Sequence, residues 1–580
     1  MDEKRVHQSV TGKLDLFIIL LFPILLSSFN SNWVFSPVTD FLPDPWFYLG
    51  YFRYFYEYAP AFPSNIHYFV ERITWNVPGY YIYHIFPPLQ ANYFLHLSVY
   101  YLALFSLYGT LFALFNRRTA LLTALIMGGY PWFLRAAGWD YVDGIGISLM
   151  LFFLYILTTK KYSQLWRYQM MFAGVIHASL LITNLFWLGF TPAWTIYYLY
   201  IKRPISKEKI WGLFGEAIYF IFGNLVLFIT TAFYYHSVTG NFNFLQRSLA
   251  YSVSLSHNTD LIGFITAFYG NMPPVWHILP TSVAVGMLLW VISRPTTNKY
   301  HKSIIATCLL FIISYGWLVF WHYYALPYLI IFLYSSFAIP SIFLLLGGLL
   351  SSSVEDLPDN LYNAMIGTII LMLAIPFLLV VVFPSLVDWQ GNPYLLAIFS
   401  VIFVIALIFQ KNKVSLWLIL ISLSFNSFLV GLNSHVLLAD PLKNRNNFMA
   451  IIKSSDLIDI HYPNHNYSDF RLWYRKDINY DVFFNLSALY LYPWGSAIND
   501  PFSGQAPTRV FSLSTRDKFY IGDNIVILSS NPNTSEVLAE ANRALSEKNL
   551  ALKLDTAQDI QEGPVHFTLY FTQVETIINK

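Results

Sequence analysis

Charge is scarce in this 580-residue sequence: Asp, Glu, Lys and Arg make up 11% of it, and the net charge is +2. Soluble domains carry about a quarter charged residues, so the chain reads as an integral membrane protein. A balance so close to zero gives no basis for nucleic acid as a partner. Cys308 is the single cysteine, which excludes an intrachain disulfide; set in an apolar run, it reads as packing and not as a reactive thiol. There is no Walker loop, no Gly-rich dinucleotide fingerprint, no H-E-x-x-H and no Cys/His metal spacing. The Gly-Ile-Gly at 144–146 lacks the strand–helix setting that a phosphate loop needs. Nor is a buried acidic or basic residue expected near the middle of any span, where an ion-coupled carrier would place one.

What the chain has is apolar length and aromatic rings: 56% of its residues are hydrophobic and 19% aromatic, with a mean hydropathy of +0.49. A spanning helix needs roughly 20 apolar residues. That rule places about 13 spans near 16–34, 93–115, 119–135, 141–158, 170–186, 187–201, 210–233, 275–292, 303–321, 325–349, 361–384, 393–410 and 414–434. The first is read as a retained helix that serves as its own insertion signal. Lys and Arg set the orientation. Of 34 such residues, 17 fall in the segments 1–15, 116–118, 159–168, 202–209, 294–302 and 411–413, against four (Arg53, Arg72, Arg135 and Arg247) in the loops of the other side. The N-terminus is therefore expected in the cytoplasm and the tail outside. The acidic loop 351–360 contributes nothing to this bias.

The expected fold class is an all-α polytopic membrane protein with a small C-terminal extracytoplasmic α/β domain. Residues 1–440 would form the transmembrane domain, with a first extracytoplasmic loop at 35–92, and residues 441–580 the outer domain. In that tail FRLWYR (470–475), NIVILSS (524–530) and HFTLYFTQV (566–574) read as strands. A helix is expected from Asn533, with Glu536 placed as in a capping box and Leu538, Ala541 and Leu545 on one face. A lid or docking role is the plain reading of this domain.

The first outer loop is the unusual stretch. Nine of the 13 residues from Trp46 to Tyr58 are aromatic, a composition suited to the boundary between bilayer and water. Asp40, Asp44, Arg53, Glu57, Glu71 and Arg72 stand among or beside them, more charge than a connecting loop requires, and the loop reads as the floor of an active site. Asp44 before Pro45 fits a helix N-cap with proline at the first helical position. The residues that follow would form a short helix along the interface, with Arg53 turned to headgroups. Capping and catalysis are both open to Asp44, since a capping carboxylate stays ionised; Asp40 is the second candidate.

A second outer turn gathers Arg135, Asp140 and Asp143 within nine residues, either as a structural bridge or as a site, because carboxylates at a helix mouth are costly unless paired. Gly144 and Gly146 would permit close approach of another backbone or a ligand. A third outer region, 234–274, carries His236, Arg247, His257 and Asp260. Arg247 is its only arginine and a candidate phosphate ligand. His322, Tyr323 and Tyr324 stand at a later helix mouth, and His177 reads as a bridge between helices.

This pattern resembles the GT-C superfamily of membrane glycosyltransferases, which includes protein O-mannosyltransferases and bacterial aminoarabinose transferases. The resemblance covers residues 16 to about 349. It rests on the long first outer loop, on Asp44 followed four residues later by Tyr48, on Pro78-Gly79-Tyr80, on the Arg135–Asp143 turn, and on the run from His322 to Pro327. Pro45 stands where a second acidic residue is common, which departs from a metal-binding pattern. The resemblance implies a sugar donor on polyprenyl phosphate or diphosphate, transferred to a lipid, glycan or protein hydroxyl by a single inverting displacement. Asp44 would be the general base, with Asp143, Asp40 and Asp140 as further catalytic candidates. Arg247, Arg135, Arg72 and His322 would meet the donor phosphate, and Tyr48, Glu71, Tyr323 and Tyr324 the substrate. A divalent cation is the one cofactor left open. A transporter of lipid-linked sugars, or a polysaccharide polymerase or ligase, is the competing class.

Overall fold

A computed structural model of the chain describes residues 3–29, 44–61, 68–159, 165–202, 207–255, 283, 286, 299–324, 336–382, 398, 401–406, 417–419, 421–422, 441–463, 470–474, 480–490, 520–546 and 549–576. These residues are mainly helical, with one small sheet near the C-terminus. The chain divides into two compact units: Met1–Val34, Glu71–Trp75 and Leu95–Ala439 form the first, and Phe35–Val70, Asn76–Phe94 and Asp440–Lys580 the second.

In the first unit, the helices Arg117–Gly128, Val142–Thr158 and Ile339–Glu355 are buried along most of their length, as expected of helices apolar on every side. Lys207–Thr239 differs. It leaves Trp211, Phe214, Ile218, Phe222 and Leu225 more than half exposed or nearly so, the face that a membrane protein turns to acyl chains. Among the described residues, Pro88–Leu114, Ile210–Thr239 and His301–Trp321 are long and apolar enough to cross a membrane. A fourth such span counts only if Arg117–Gly128 and Pro131–Ala137 are taken together. The sequence suggested one straight span at 119–135, but this pair is bent by 71°. Gly129 ends the first helix and Pro131 opens the second, and both residues break helices. The expected spans at 275–292, 393–410 and 414–434 fall largely outside the described residues.

Several loops assigned to one side of the membrane meet. Arg117 grips Asp15 with two hydrogen bonds of 2.5 and 2.6 Å, and Tyr108 donates a third to the same carboxylate. Arg118 pairs with Asp359 and donates to the carbonyls of Glu355 and Leu357. Lys299 and Tyr300 both bind Glu355. The acidic loop 351–360 is thus the counter-charge of the basic loops around it.

His177 bridges helices as expected, with Nδ1 2.8 Å from Asn224 Oδ1 and Nε2 3.4 Å from Thr191 Oγ1, and Cys308 is buried. Glu216 is an acidic residue inside the expected span 210–233, toward its start and not its middle. It is buried in the helix Lys207–Thr239, within three turns of its start, and the Tyr198 hydroxyl donates to it. Both line a cavity of about 210 Å³ with Phe153, His177 and Trp194.

In the second unit, a four-stranded sheet runs in the order β1 (Phe470–Tyr474), β2 (Asn524–Ser529), β4 (Val565–Thr576), β3 (Leu550–Glu562). β1 and β2 are parallel, and the other pairs antiparallel. Thr534–Ser546 packs Val537, Ala541 and Leu545 onto Ile525, Ile527 and Tyr570. Asn533 accepts a hydrogen bond from the Glu536 amide at 3.4 Å as the N-cap. The strand β3 went unread because its polar residues hide the alternation; as an edge strand it buries one side only.

Candidate active site

The first unit collects buried charge at the segments expected on the outer side. Asp140 is fully buried, with Oδ1 3.1 Å from His96 Nε2 on the helix Pro88–Leu114. Its backbone carbonyl accepts from Trp75 Nε1 at 2.7 Å. Asp143 lies in the first turn of Val142–Thr158 and accepts from Trp139 Nε1 at 2.6 Å and from the Gly144 amide at 2.9 Å. The two donors satisfy the carboxyl group at a helix N-terminus, where exposed amides need an acceptor. Gly144 is required there: a Cβ at this position would run into the carbonyl oxygen of Ala136, the close backbone approach expected from the sequence.

Arg135 is buried between indoles, its Cζ 5.8 Å from the Trp132 ring and 5.3 Å from that of Trp139. It also acts electrostatically on Asp143. Arg72, likewise buried, lies 6.0 Å from the Tyr141 ring. Such cation–π contacts favour the charged guanidinium at sites with little water. Glu71, 1% exposed, accepts from the backbone amides of Arg247 and Ser248, at 2.7 Å each. It thereby caps the helix Gln246–Leu255 from 176 residues away. Burial raises the Glu71 pKa, while Ser248 and the Arg247 amide and charge oppose the shift. Arg247, the only arginine of its region in the sequence, has the Glu71 carboxyl as its acidic neighbour in the fold.

In the second unit, Asp44 opens the helix Asp44–Ala61 as expected, half-buried, followed by Pro45. Tyr48 is fully buried, edge-on to Phe69 at 5.3 Å. The rings of this helix, expected to face the boundary between bilayer and water, are covered by protein instead. Trp46, Phe47, Tyr48, Tyr51, Phe52 and Phe55 are each no more than 2% exposed, so the rings pack inside the protein. Phe52 stacks on Tyr83 at 5.7 Å and lies where a Cβ on Gly79 would be, which explains the glycine in Pro78-Gly79-Tyr80. Arg53 does not point to headgroups either: it pairs with Asp456 at 2.5 Å and Asp459 at 3.4 Å.

Asp40 lies outside the described residues, as do the side chains of His322, Tyr323 and Tyr324 at the end of the helix His301–Tyr324. His96, Trp75 and Trp139 complete the first unit's cluster and were not singled out from sequence. His96 stands alone in an apolar helix, with nothing local to mark it. Among the described residues, no three His, Cys, Asp or Glu side chains converge to hold a metal ion.

A bent pair among apolar helices, with a four-stranded sheet near the C-terminus, defines a helical multi-pass membrane protein. No protein-family model and no curated protein matches the sequence. The fold is similar to that of ArnT from Cupriavidus metallidurans, an aminoarabinose transferase of the GT-C type. The crystal structure of that protein bound to undecaprenyl phosphate matches with a TM-score of 0.50 and 14% identity, over 97% of this chain and 98% of that one. Its apo structure matches with a TM-score of 0.45, also at 14% identity and the same coverage. The likeness is one of fold, and it spans nearly the whole of both chains.

Proposed function

We propose that the protein is an integral membrane glycosyltransferase that moves a sugar from a polyprenyl-phosphate or polyprenyl-diphosphate donor to an acceptor hydroxyl on the outer face of the membrane. The observation that carries this reading is the likeness in fold, over nearly the whole chain, to a transferase crystallised with undecaprenyl phosphate. Fold alone does not fix function. The chemical support is Asp44, a half-buried carboxylate opening a helix four residues before Tyr48. In a single inverting displacement Asp44 takes the proton of the acceptor hydroxyl as its oxygen attacks the anomeric carbon. The lipid phosphate leaves as the glycosidic bond breaks, and its developing charge needs a cation.

Arg72, Arg135 and Arg247 are the candidates for that cation, and Tyr48 and Glu71 for substrate contacts. Asp140 and Asp143 are satisfied by His96 and by Trp139 and Gly144, which favours supporting roles for them. The domain division at residue 440, the count of about 13 spans and the cytoplasmic N-terminus belong to the same proposal; the pairing of loop 351–360 with the basic loops supports the last of these.

The test is Asp44→Asn. The amide still caps the helix, so stability should hold, while loss of a general base lowers turnover by about 10²–10⁴-fold. Wild-type turnover in Asp44→Asn alongside an inactive Asp40→Asn would move the base to Asp40. Wild-type turnover in both would refute the mechanism.

A further inference from the structure

The sequence set residues 441–580 apart as a lid or docking domain, yet the helix Pro441–His461 belongs to the same compact unit as the first outer loop. The contact is built around a break in the helix Asp44–Ala61, at Tyr54, whose φ of −133° and ψ of 38° are not helical. Charges and hydrogen bonds converge at that break. Arg53 pairs with Asp456 and Asp459. The Tyr54 hydroxyl donates to Asp459 and lies 2.8 Å from Ser455 Oγ. Tyr490 donates to Asp459 at 3.1 Å and stacks on Tyr54 at 6.1 Å. Asp459 thus receives three donors, and the guanidinium is shared between two carboxylates. Further along, Trp46 meets Phe448 at 6.4 Å. Burial opposes the charge on Arg53, but Tyr54, Asp456 and Asp459 more than offset it, and its pKa is raised.

We infer that Arg53, held by Asp456 and Asp459, is a positioning residue: it fixes the half-helix that carries Asp44, so the C-terminal region is the scaffold of the catalytic loop and not a lid over it. The inference rests on the reading of Asp44 as general base. Geometry gives its scale. From Asp44 to Arg53 the helix rises about 14 Å, at roughly 1.5 Å per residue. A tilt of about 4° at the break then moves the Asp44 end by about 1 Å, and an error of that size costs on the order of 10²-fold in rate. A lid would instead be expected to alter donor access, and hence KM.

The experiment is a double-mutant cycle on the full-length protein, followed by release of label from radiolabelled undecaprenyl-phosphate hexoses. Arg53→Ala should lower kcat by about 10²-fold with little change in donor KM, and Arg53→Lys should recover most of that loss by restoring the charge. The Arg53→Ala/Asp44→Asn double variant should be no slower than Asp44→Asn, because a base that is absent cannot be misplaced; such non-additivity marks residues that act through one another. Should Arg53→Ala fail to fold, judged by melting in detergent, Asp459→Asn replaces it in the cycle, keeping shape while losing charge. If Asp44→Asn is slow but the Arg53 variant is near wild type, or multiplies the loss in the double variant, the positioning role is overturned and the base assignment stands. If Asp44→Asn is as fast as wild type, both fall.

Discussion

Replacing Glu71 with alanine would strip the cap from the helix Gln246–Leu255. Two backbone amides, those of Arg247 and Ser248, each lose an acceptor at 2.7 Å. A lost N-cap costs about 1 kcal/mol and up to about 2, and an orphaned buried donor about 1–3. Both residues are half-buried, so water replaces part of the loss and the cap value is the better guide, about 1–2 kcal/mol. That is local opening made roughly 5–30-fold more frequent. Amide hydrogen exchange over residues 246–255 should accelerate by that factor in Glu71→Ala and by less in Glu71→Gln, which keeps one acceptor oxygen. The pH response has a definite sign. A carboxyl whose folded pKa is raised by burial contributes stability that is complete below its ordinary value of 4.5 and is lost as pH rises through the raised value. Wild type should therefore gain in melting temperature relative to Glu71→Gln as pH falls from 8 toward 4.5. Exchange within twofold of wild type in Glu71→Ala, or a relative gain of wild type toward high pH, would refute the capping role.

The arginines and the topology give further predictions. Arg72, Arg135 and Arg247 changed singly to Lys should keep some donor binding but lose turnover, because lysine keeps the charge without the two-pronged geometry; wild-type kinetics for all three, and for their alanine variants, would mean that none meets the phosphate. Cysteines introduced at Ser36 and Ser503 should label from outside intact cells, and one at Ser206 should not; outside labelling of Ser206→Cys would invert the topology.

Much of the fold was legible because it depends on local pattern. Apolar length marked the helices, and β-branched and aromatic runs marked β1, β2 and β4. Asn533 and Glu536 marked the start of the helix Thr534–Ser546. The bend between Gly128 and Pro131 was also written locally, in Gly-Gly-Tyr-Pro, but apolar length outweighed it. Pairings across hundreds of residues were not legible. Arg53 looked like a headgroup contact because Asp456 and Asp459 lie about 400 residues further on. Arg247 looked isolated because Glu71 is 176 residues before it. His96 carries no local sign of Asp140, since only the packing of helices brings the two together. The aromatic loop misled for a related reason: rings that suit a bilayer surface suit a protein interior equally well, and composition cannot tell which will cover them.

The central claim, that this membrane fold carries a lipid-linked sugar transferase, is tested most directly by incubating the purified protein with radiolabelled undecaprenyl-phosphate hexoses and a membrane extract as acceptor. The account predicts that label leaves the lipid and appears on an acceptor with wild-type protein, and that Asp44→Asn cuts the rate by about 10²–10⁴-fold. Label that stays on the lipid with wild-type protein, yet crosses the bilayer when the protein is reconstituted in vesicles, would contradict it and identify a transporter instead.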